Sequence, residues 1–333
     1  MRYKLYLFSL LLTFPIWGKA TTEADSLRQI QINRLQEQVD WVNPKAIRAY
    51  LDDSKSSLGD QAPRLYQKLE ELESLLPRVN QYLAKDTSLQ TINEAEKLLA
   101  LKREIILANP LLDIDNLLIA RYHLGDKARK AMGPSLGTST ANYNSLFSNR
   151  RKGYDAEICH LSNLRGEIQS KILYKPTADV PISDIQLHWD ADRLLFSSLD
   201  ENRKWQIYEI NTDGSGLHQK ITVDEPDLEF CDANYLPDGK VVATCNIGYN
   251  GVPCVHGDDV VANLISYDPE TKNIRRLTFD QDGNWAPIVI PNGRLMYTRW
   301  EYTDLTHYFS RIVMHMNPDG TENKALYGSG SYF

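Results

Sequence analysis

The second half of the chain alternates short apolar runs with polar turns. Runs of this length, bounded by Asp, Asn and Gly, predict β-strands joined by tight turns. Three such runs each follow a turn: Leu194–Phe196, Val241–Ala243 and Leu295–Tyr297. Their turn positions, Asp192, Gly239 and Gly293, are about 50 residues apart, close to the length of a four-stranded propeller blade. The repeat predicts that the three runs occupy equivalent inner strands of separate sheets.

A four-stranded blade cannot bury both of its faces alone, so repeated blades pack radially on one another. We therefore expect a mainly β fold, a β-propeller with four-stranded blades over residues 110–333; an ordinary sandwich is the alternative. The segment from Ala156 to Glu167 matches the end of the last repeat, which makes about four blades. We expect the propeller to be incomplete here and to continue beyond Phe333, unless it is a small four-bladed one.

Helical periodicity marks the N-terminal region, residues 21–109. Six apolar residues share one helical stripe: Leu65, Leu69, Leu72, Leu76, Val79 and Leu83. Pro77 lies within it and predicts a kink or a break. The stripe packs in a small helical bundle or on the propeller, or else it is a surface for a protein partner. A buried strand is expected to follow at Leu117–Ile119.

Residues 1–20 have the pattern of a signal peptide. A basic start is followed by an apolar run and by small residues, Gly18 and Ala20, near the expected cleavage site. We expect a periplasmic or secreted protein with no stable membrane span after cleavage, although an uncleaved anchor is the alternative. Nucleic-acid binding needs a cluster of basic side chains that contact phosphates, and a formal net charge of −7 does not indicate one. We therefore expect no nucleic-acid partner.

Four cysteines in an exported chain allow two disulfides with three pairings. Cys231 and Cys245 flank one turn-strand unit and are the favoured pair. Free buried thiols are the alternative, because a propeller of this size folds without disulfides.

One long connection, residues 246–259, brings together groups that bind metals. Cys254, His256 and Asp258 alternate along it, with Asp259 adjacent. Thiolate, imidazole and carboxylate groups are ligands for zinc. The sequence therefore predicts a zinc site, against the alternative that these are ordinary solvated loop residues.

The connection 300–309 is the second candidate, with Glu301, Asp304 and His307 as residues of a pocket. The alternative is a rigid corner in which Arg299 pairs with acidic neighbours. Both connections follow comparable strands of consecutive blades, so we expect them to frame one pocket at the same end of the propeller.

The sequence motifs of the repeats resemble those of known protein families. The segments Trp205–Leu217 and Asn273–Asp280 resemble the blades of TolB-type periplasmic propellers, over residues 180–326. The segments Ile182–Asp190, Gly251–Val255 and Tyr297–Asp304 are more narrowly similar to the propeller region of proteins related to the hydrazine synthase alpha subunit. In that family a domain with c-type haem follows the propeller, which implies periplasmic redox work. The present sequence contains no C-x-x-C-H motif, so no covalent haem is expected within it.

Two functions are compatible with these observations. The first is an exported binding and assembly scaffold that holds a protein partner or a small ligand. The second is the N-terminal part of a periplasmic oxidoreductase whose c-type haem lies beyond residue 333. Whether the protein is an enzyme is left open by the sequence.

Overall fold

In the computed structural model, residues 23–122, 147, 149–252, 260–281, 283–301 and 311–328 are described. The chain divides into two compact units, residues 1–114 and 115–333. The described part of the first unit contains five α-helices: α1 (Glu23–Asp40), α2 (Pro44–Asp53), α3 (Lys55–Leu58), α4 (Ala62–Leu83) and α5 (Leu89–Leu107). Across the described ranges, we find no helix with the length and apolar character that crossing a membrane requires.

Capping residues define where two of these helices begin. The side chain of Asn43 accepts a hydrogen bond from the backbone N–H of Ala46, and Ser88 accepts one from Thr91, each at 3.2 Å. Such caps satisfy N–H groups that have no partner within the helix. Pro44 occupies the first turn of α2, where its missing N–H costs nothing.

The apolar stripe of α4 forms the core of the helical unit. Leu69, Leu72 and Val79 are fully buried against the neighbouring helices, and α4 packs on α1, α2 and α5. Leu75 is buried on this stripe, whereas Leu76 is only partly buried. A kink or a break was predicted at Pro77; the break is excluded because α4 continues through this residue, and the kink stays a prediction.

The second unit consists of antiparallel sheets. The first sheet has three strands: β1 (Asn116–Tyr122), β2 (Ala156–Ser162) and β3 (Gln169–Tyr174). The second has four: β4 (Ile182–Leu187), β5 (Arg193–Leu199), β6 (Trp205–Asn211) and β7 (His218–Gln219). The third has β8 (Phe230–Tyr235), β9 (Val241–Cys245), β10 (Asn263–Asp268) and β11 (Asn273–Arg276). The fourth has β12 (Asn284–Val289), β13 (Leu295–Trp300), β14 (Arg311–Met316) and β15 (Lys324–Tyr327).

Each four-stranded sheet follows its chain order, as the blades of a β-propeller do. Successive blades pack through their first strands: β8 contacts β4, β5 and β6, and β12 contacts β8, β9 and β10. The predicted runs therefore lie in three separate sheets, as expected. They occupy the second strands, β5, β9 and β13, rather than the inner strands, so that detail of the prediction is corrected.

Apolar layers fill the spaces between neighbouring blades. Ile158 and Phe196 belong to the layer between the first two sheets, Ile207 and Phe230 to the next, and Val242 with Tyr297 to the last. Because each layer needs side chains from two sheets, the blades support one another in series.

Two further expectations are corrected by the structure. Strand β1 is not buried, since its first residues are exposed and the rest are only partly buried. No disulfide joins Cys231 to Cys245, because both are free and buried, as is Cys159. The alternative of buried thiols therefore holds for these three cysteines, and Cys254 lies outside the described residues.

Candidate functional site

Most of the residues predicted for a site lie outside the described part of the chain. These are Cys254, His256 and Asp258 of the zinc prediction and Asp304 and His307 of the pocket prediction. Both sites therefore stay predictions. The strands that lead into these connections, β9 and β13, are second strands of neighbouring blades, so their ends lie on the same side of the propeller unit.

Glu301 is described, and it belongs to an ion-pair cluster. Its Oε2 lies 2.7 Å from Nε of Arg299, and Nη1 of the same arginine lies 2.6 Å from Oδ1 of Asp280. All three side chains are mostly buried. Within the described residues, one guanidinium thus lies between two carboxylates at the end of β13.

The first strand of each four-stranded blade carries the same irregularity. A bulge interrupts the pairing after Ser183, Cys231 and Trp285. The residue that follows has a left-handed backbone in every case: Asp184, Asp232 and Ala286, with φ of 51°, 55° and 53°. Asp tolerates this conformation better than most residues, which makes it suited to two of the three positions.

Asp184 and Asp232 form a carboxyl pair between neighbouring inner strands. Oδ2 of Asp232 accepts hydrogen bonds from Oγ1 of Thr244 at 3.0 Å and from the backbone N–H of Ala286 at 3.2 Å. Burial raises the pKa of Asp184 well above its ordinary value, and the charge and hydrogen bond of Asp232 raise it further. The physical reason is that two close carboxylates repel each other when both are ionised, and burial strengthens that repulsion.

The turns that follow the inner strands are also equivalent. Ala191, Gly239 and Gly293 occupy the same left-handed position, with φ of 56°, 85° and 80°. This corrects the sequence alignment by one residue, since Ala191 rather than Asp192 corresponds to the two glycines. Two residues earlier the second blade has Trp189, where the other blades have Pro237 and Pro291.

A polar network surrounds the turn of the second blade. Nη2 of Arg193 lies 2.6 Å from Nε2 of His188, and Nη1 donates to both carboxylate oxygens of Asp192 at 2.9 Å. The imidazole packs edge-on against Tyr235, with 4.7 Å between ring centres. Tyr235 in turn donates its hydroxyl to Oε2 of Glu209 at 2.9 Å. The network fixes the turn against the third blade.

His188, Asp190 and Asp192 bring potential metal ligands within 4.8 Å of one another. A guanidinium can only donate, so Nε2 of His188 faces a donor on Arg193, and Nδ1 faces the backbone N–H of Asp190 at 3.2 Å. Both ring nitrogens of His188 are therefore engaged within the protein, and Asp192 is already paired with Arg193. In this arrangement the three residues do not fit a metal ion.

The carboxyl ends of the inner strands enclose a small cleft of about 180 Å³. It is lined by residues 186–187, 234–235 and 288–289 from the three strands, and by Trp189 from the turn. The indole is 60% exposed. Asn234 donates its amide N–H to the carbonyl of Pro287 at 2.7 Å, which leaves its side-chain oxygen as an acceptor.

A larger cleft of about 770 Å³ separates the first two blades. Its apolar wall includes Leu117 and Leu118 of β1 and Ile185 and Leu187 of β4. Lys171 lies at this cleft, where its Nζ donates to the carbonyl of Asp213 at 3.0 Å. The volume is within the range of about 300–1,000 Å³ that ligand-binding clefts occupy.

Sequence reasoning missed Trp189, Asp184 and Asp232 as candidate residues. Aligning the turns position by position would have found Trp189, because it replaces a repeated proline. The carboxyl pair gave no such signal, since two aspartates 48 residues apart meet only through the packing of neighbouring blades.

No family model matches the chain, and no curated protein matches it. Among solved structures, hydrazine synthase of Kuenenia stuttgartiensis is 16% identical with a TM-score of 0.47, over 65% of this chain and 32% of that one. A putative TolB from Agrobacterium tumefaciens is 15% identical with a TM-score of 0.40, over 52% of this chain and 57% of that one. TolB from Acinetobacter baumannii gives the same identity and TM-score over 38% of its length. The chain thus spans about a third to somewhat over half of these structures. Both kinds of protein that its sequence motifs resemble are among its structural neighbours.

Proposed function

We propose that this chain is an exported β-propeller protein that acts as a binding and assembly scaffold, with a protein partner docked beside β1. The observation that carries the proposal is the inner edge of the first sheet. Within the described residues β1 pairs only with β2, and the cleft of about 770 Å³ lies beside it.

Strand β1 occupies the place of a second strand, not of an inner strand. It pairs with β2, which is followed by a turn and β3 in the same way that β6, β10 and β14 are followed by their outer strands. The equivalent strands β5, β9 and β13 each have an inner neighbour. They are largely buried, whereas β1 begins exposed. The first blade is therefore one inner strand short among the described residues.

An unpaired strand edge is a template for another strand, because its N–H and C=O groups are free to pair. We infer that the partner contributes an extended segment that pairs with β1 and takes the place of an inner strand. Its apolar side chains would cover Leu117 and Leu187, which are both exposed. Lys171 has no carboxylate within 4 Å among the described residues, so an acidic side chain on the segment would complement it.

Site-specific photo-crosslinking in the native host tests the docking surface. A photoreactive residue replaces Leu117, which is 44% exposed beside the cleft, and a control replaces Leu326, which is 51% exposed on β15. The proposal predicts a discrete adduct with another protein from position 117 and none from position 326. Adducts that contain only this chain, alone or as two copies, would contradict it.

Two proline variants then test pairing at the β1 edge. Adjacent residues of a strand direct their N–H groups to opposite edges, so Leu118→Pro and Ile119→Pro affect different neighbours. One of them weakens pairing with β2 and lowers stability, while the other removes a donor from the open edge alone. We expect the stable variant to lose the adduct at position 117. An unchanged adduct in that variant would exclude strand pairing while leaving the partner proposal intact.

The mass of the mature protein tests export. Cleavage after Ala20 should give an N-terminus at Thr21 in the periplasmic or secreted fraction. Recovery of the uncleaved chain in the cytoplasmic fraction would contradict that part of the proposal.

A further inference from the structure

Trp189 breaks a structural repeat without any visible benefit to the fold. Its turn begins like the turns of the third and fourth blades and is one residue longer before the next strand; the position of Trp189 is Pro237 or Pro291 in those blades. Proline suits this place because it fixes the backbone of a turn. The indole instead leaves 60% of its surface exposed, and its N–H makes no hydrogen bond within the described residues. Unlike a single exposed aromatic residue, Trp189 lines a cleft together with apolar and amide side chains, and such a combination is typical of a binding site.

The polar groups around the cleft are neutral and available. The side-chain amide of Gln186 makes no hydrogen bond to another described residue, and the amide oxygen of Asn234 keeps its acceptor capacity. Arg193, whose guanidinium lies over the ring of Tyr235, is engaged by Asp192 and lies 3.8 Å from Glu209. The cleft therefore offers donors and acceptors without a free charge.

The size of the cleft limits its occupant. A volume of about 180 Å³ is below the range of about 300–1,000 Å³ for drug-sized ligands. It corresponds to on the order of six water molecules at about 30 Å³ each. A single small ring fits this space, and a chain of rings would extend from it over the exposed indole.

We propose that this cleft binds a neutral sugar ring, stacked on the indole of Trp189. One face of a pyranose presents C–H groups that pack on an aromatic ring, while its hydroxyl groups both donate and accept hydrogen bonds. The amides of Gln186 and Asn234 match those hydroxyls, since an amide also offers a donor and an acceptor. Leu187 and Ile288 supply the remaining apolar wall. This inference is independent of the partner site beside β1.

Saturation-transfer difference NMR on the full chain tests the proposal. The probes are methyl β-D-glucopyranoside and N-acetylglucosamine, with their β-1,4-linked dimers to tetramers, and adenosine serves as a planar aromatic probe. The matched variant is Trp189→Pro, because the same turn holds proline in two other blades. Trp41→Ala is the control, since Trp41 is also strongly exposed but belongs to the helical unit.

We expect saccharide signals from the wild type and from Trp41→Ala, with affinity reduced by about tenfold or more in Trp189→Pro, which is ~1.4 kcal/mol. Gln186→Ala should weaken the same binding. Circular dichroism confirms that the variants are folded. The proposal is overturned if no saccharide binds the wild type, if Trp189→Pro binds equally well, or if only adenosine shows binding that depends on Trp189.

Discussion

Asp184 and Asp232 show how one residue type serves two purposes in this fold. Each adopts the left-handed conformation that a bulge requires, and each projects a carboxyl group toward the neighbouring blade. The first property is local and favours Asp or Asn. The second property, the buried carboxyl pair, destabilises the folded state, because burial and mutual repulsion oppose ionisation of Asp184. Stability should therefore depend on the pH in a way that one substitution removes.

Asp184→Asn is predicted to stabilise the protein at neutral and alkaline pH. The folded-state pKa of Asp184 is raised, so the folded chain keeps a proton that the unfolded chain releases above its pKa of about 3.9. Wild-type stability should fall as the pH rises from about 4 toward the folded-state pKa. Asn also tolerates the left-handed backbone, and its N–H₂ replaces the donated proton. We expect a gain of about 1–3 kcal/mol at pH 8 and little gain at pH 4, measured by urea unfolding.

Asp213→Asn is the control, because the pKa of Asp213 is shifted in the opposite direction to that of Asp184. Hydrogen bonds from Ser215 lower the pKa of Asp213, so its contribution is present above the unfolded-state pKa and is lost as the pH falls. This exposed substitution should not reproduce the gain at pH 8. An Asp184→Asn variant whose stability follows the wild-type pH profile would show that Asp184 is ionised in the folded protein.

At the scale of elements, strand positions were predictable and strand roles were not. The second strands β5, β9 and β13 carry continuous apolar runs because both of their faces are covered. The inner strands contain bulges, and polar residues such as Ser183 and Asp184 interrupt the alternation of apolar and polar positions in them. For this reason the sequence pattern predicted the second strands, rather than the first strands, as innermost. The burial of β1 was overestimated for a related reason, since Leu117–Ile119 resembles a covered strand although no inner strand covers it among the described residues.

Helix α4 allows a direct test of the helical core. Leu72 is fully buried between helices, so Leu72→Ala should lower the free energy of unfolding by about 2–5 kcal/mol. Leu89→Ala is the matched control, because Leu89 is 63% exposed at the start of α5 and should change stability by about 0.5 kcal/mol or less. Equal effects of the two substitutions in chemical denaturation would contradict the packing of α4.

For the whole molecule, the repeat spacing was sufficient to predict a propeller, because each blade must bury its faces against the next. It was not sufficient to predict that the described part of the first sheet has three strands and no inner strand, since strand pairing joins residues that are distant in sequence. The clefts follow from the same non-local packing. Trp189 and Lys171 reach their clefts from different blades, and nothing in the local sequence around either residue specifies such a cleft.

The open edge of β1 is the central claim of this account, and hydrogen–deuterium exchange tests it most directly. Amides that point to the open edge have no partner strand among the described residues, so we expect alternate residues of Leu117–Tyr122 to exchange rapidly in the isolated protein. The buried strands β5 and β9, which are paired on both edges, should exchange slowly and serve as internal references. Addition of the crosslinked partner should slow exchange in β1. Slow exchange of every β1 amide in the isolated chain would contradict the account, because it would show that the inner edge is already paired.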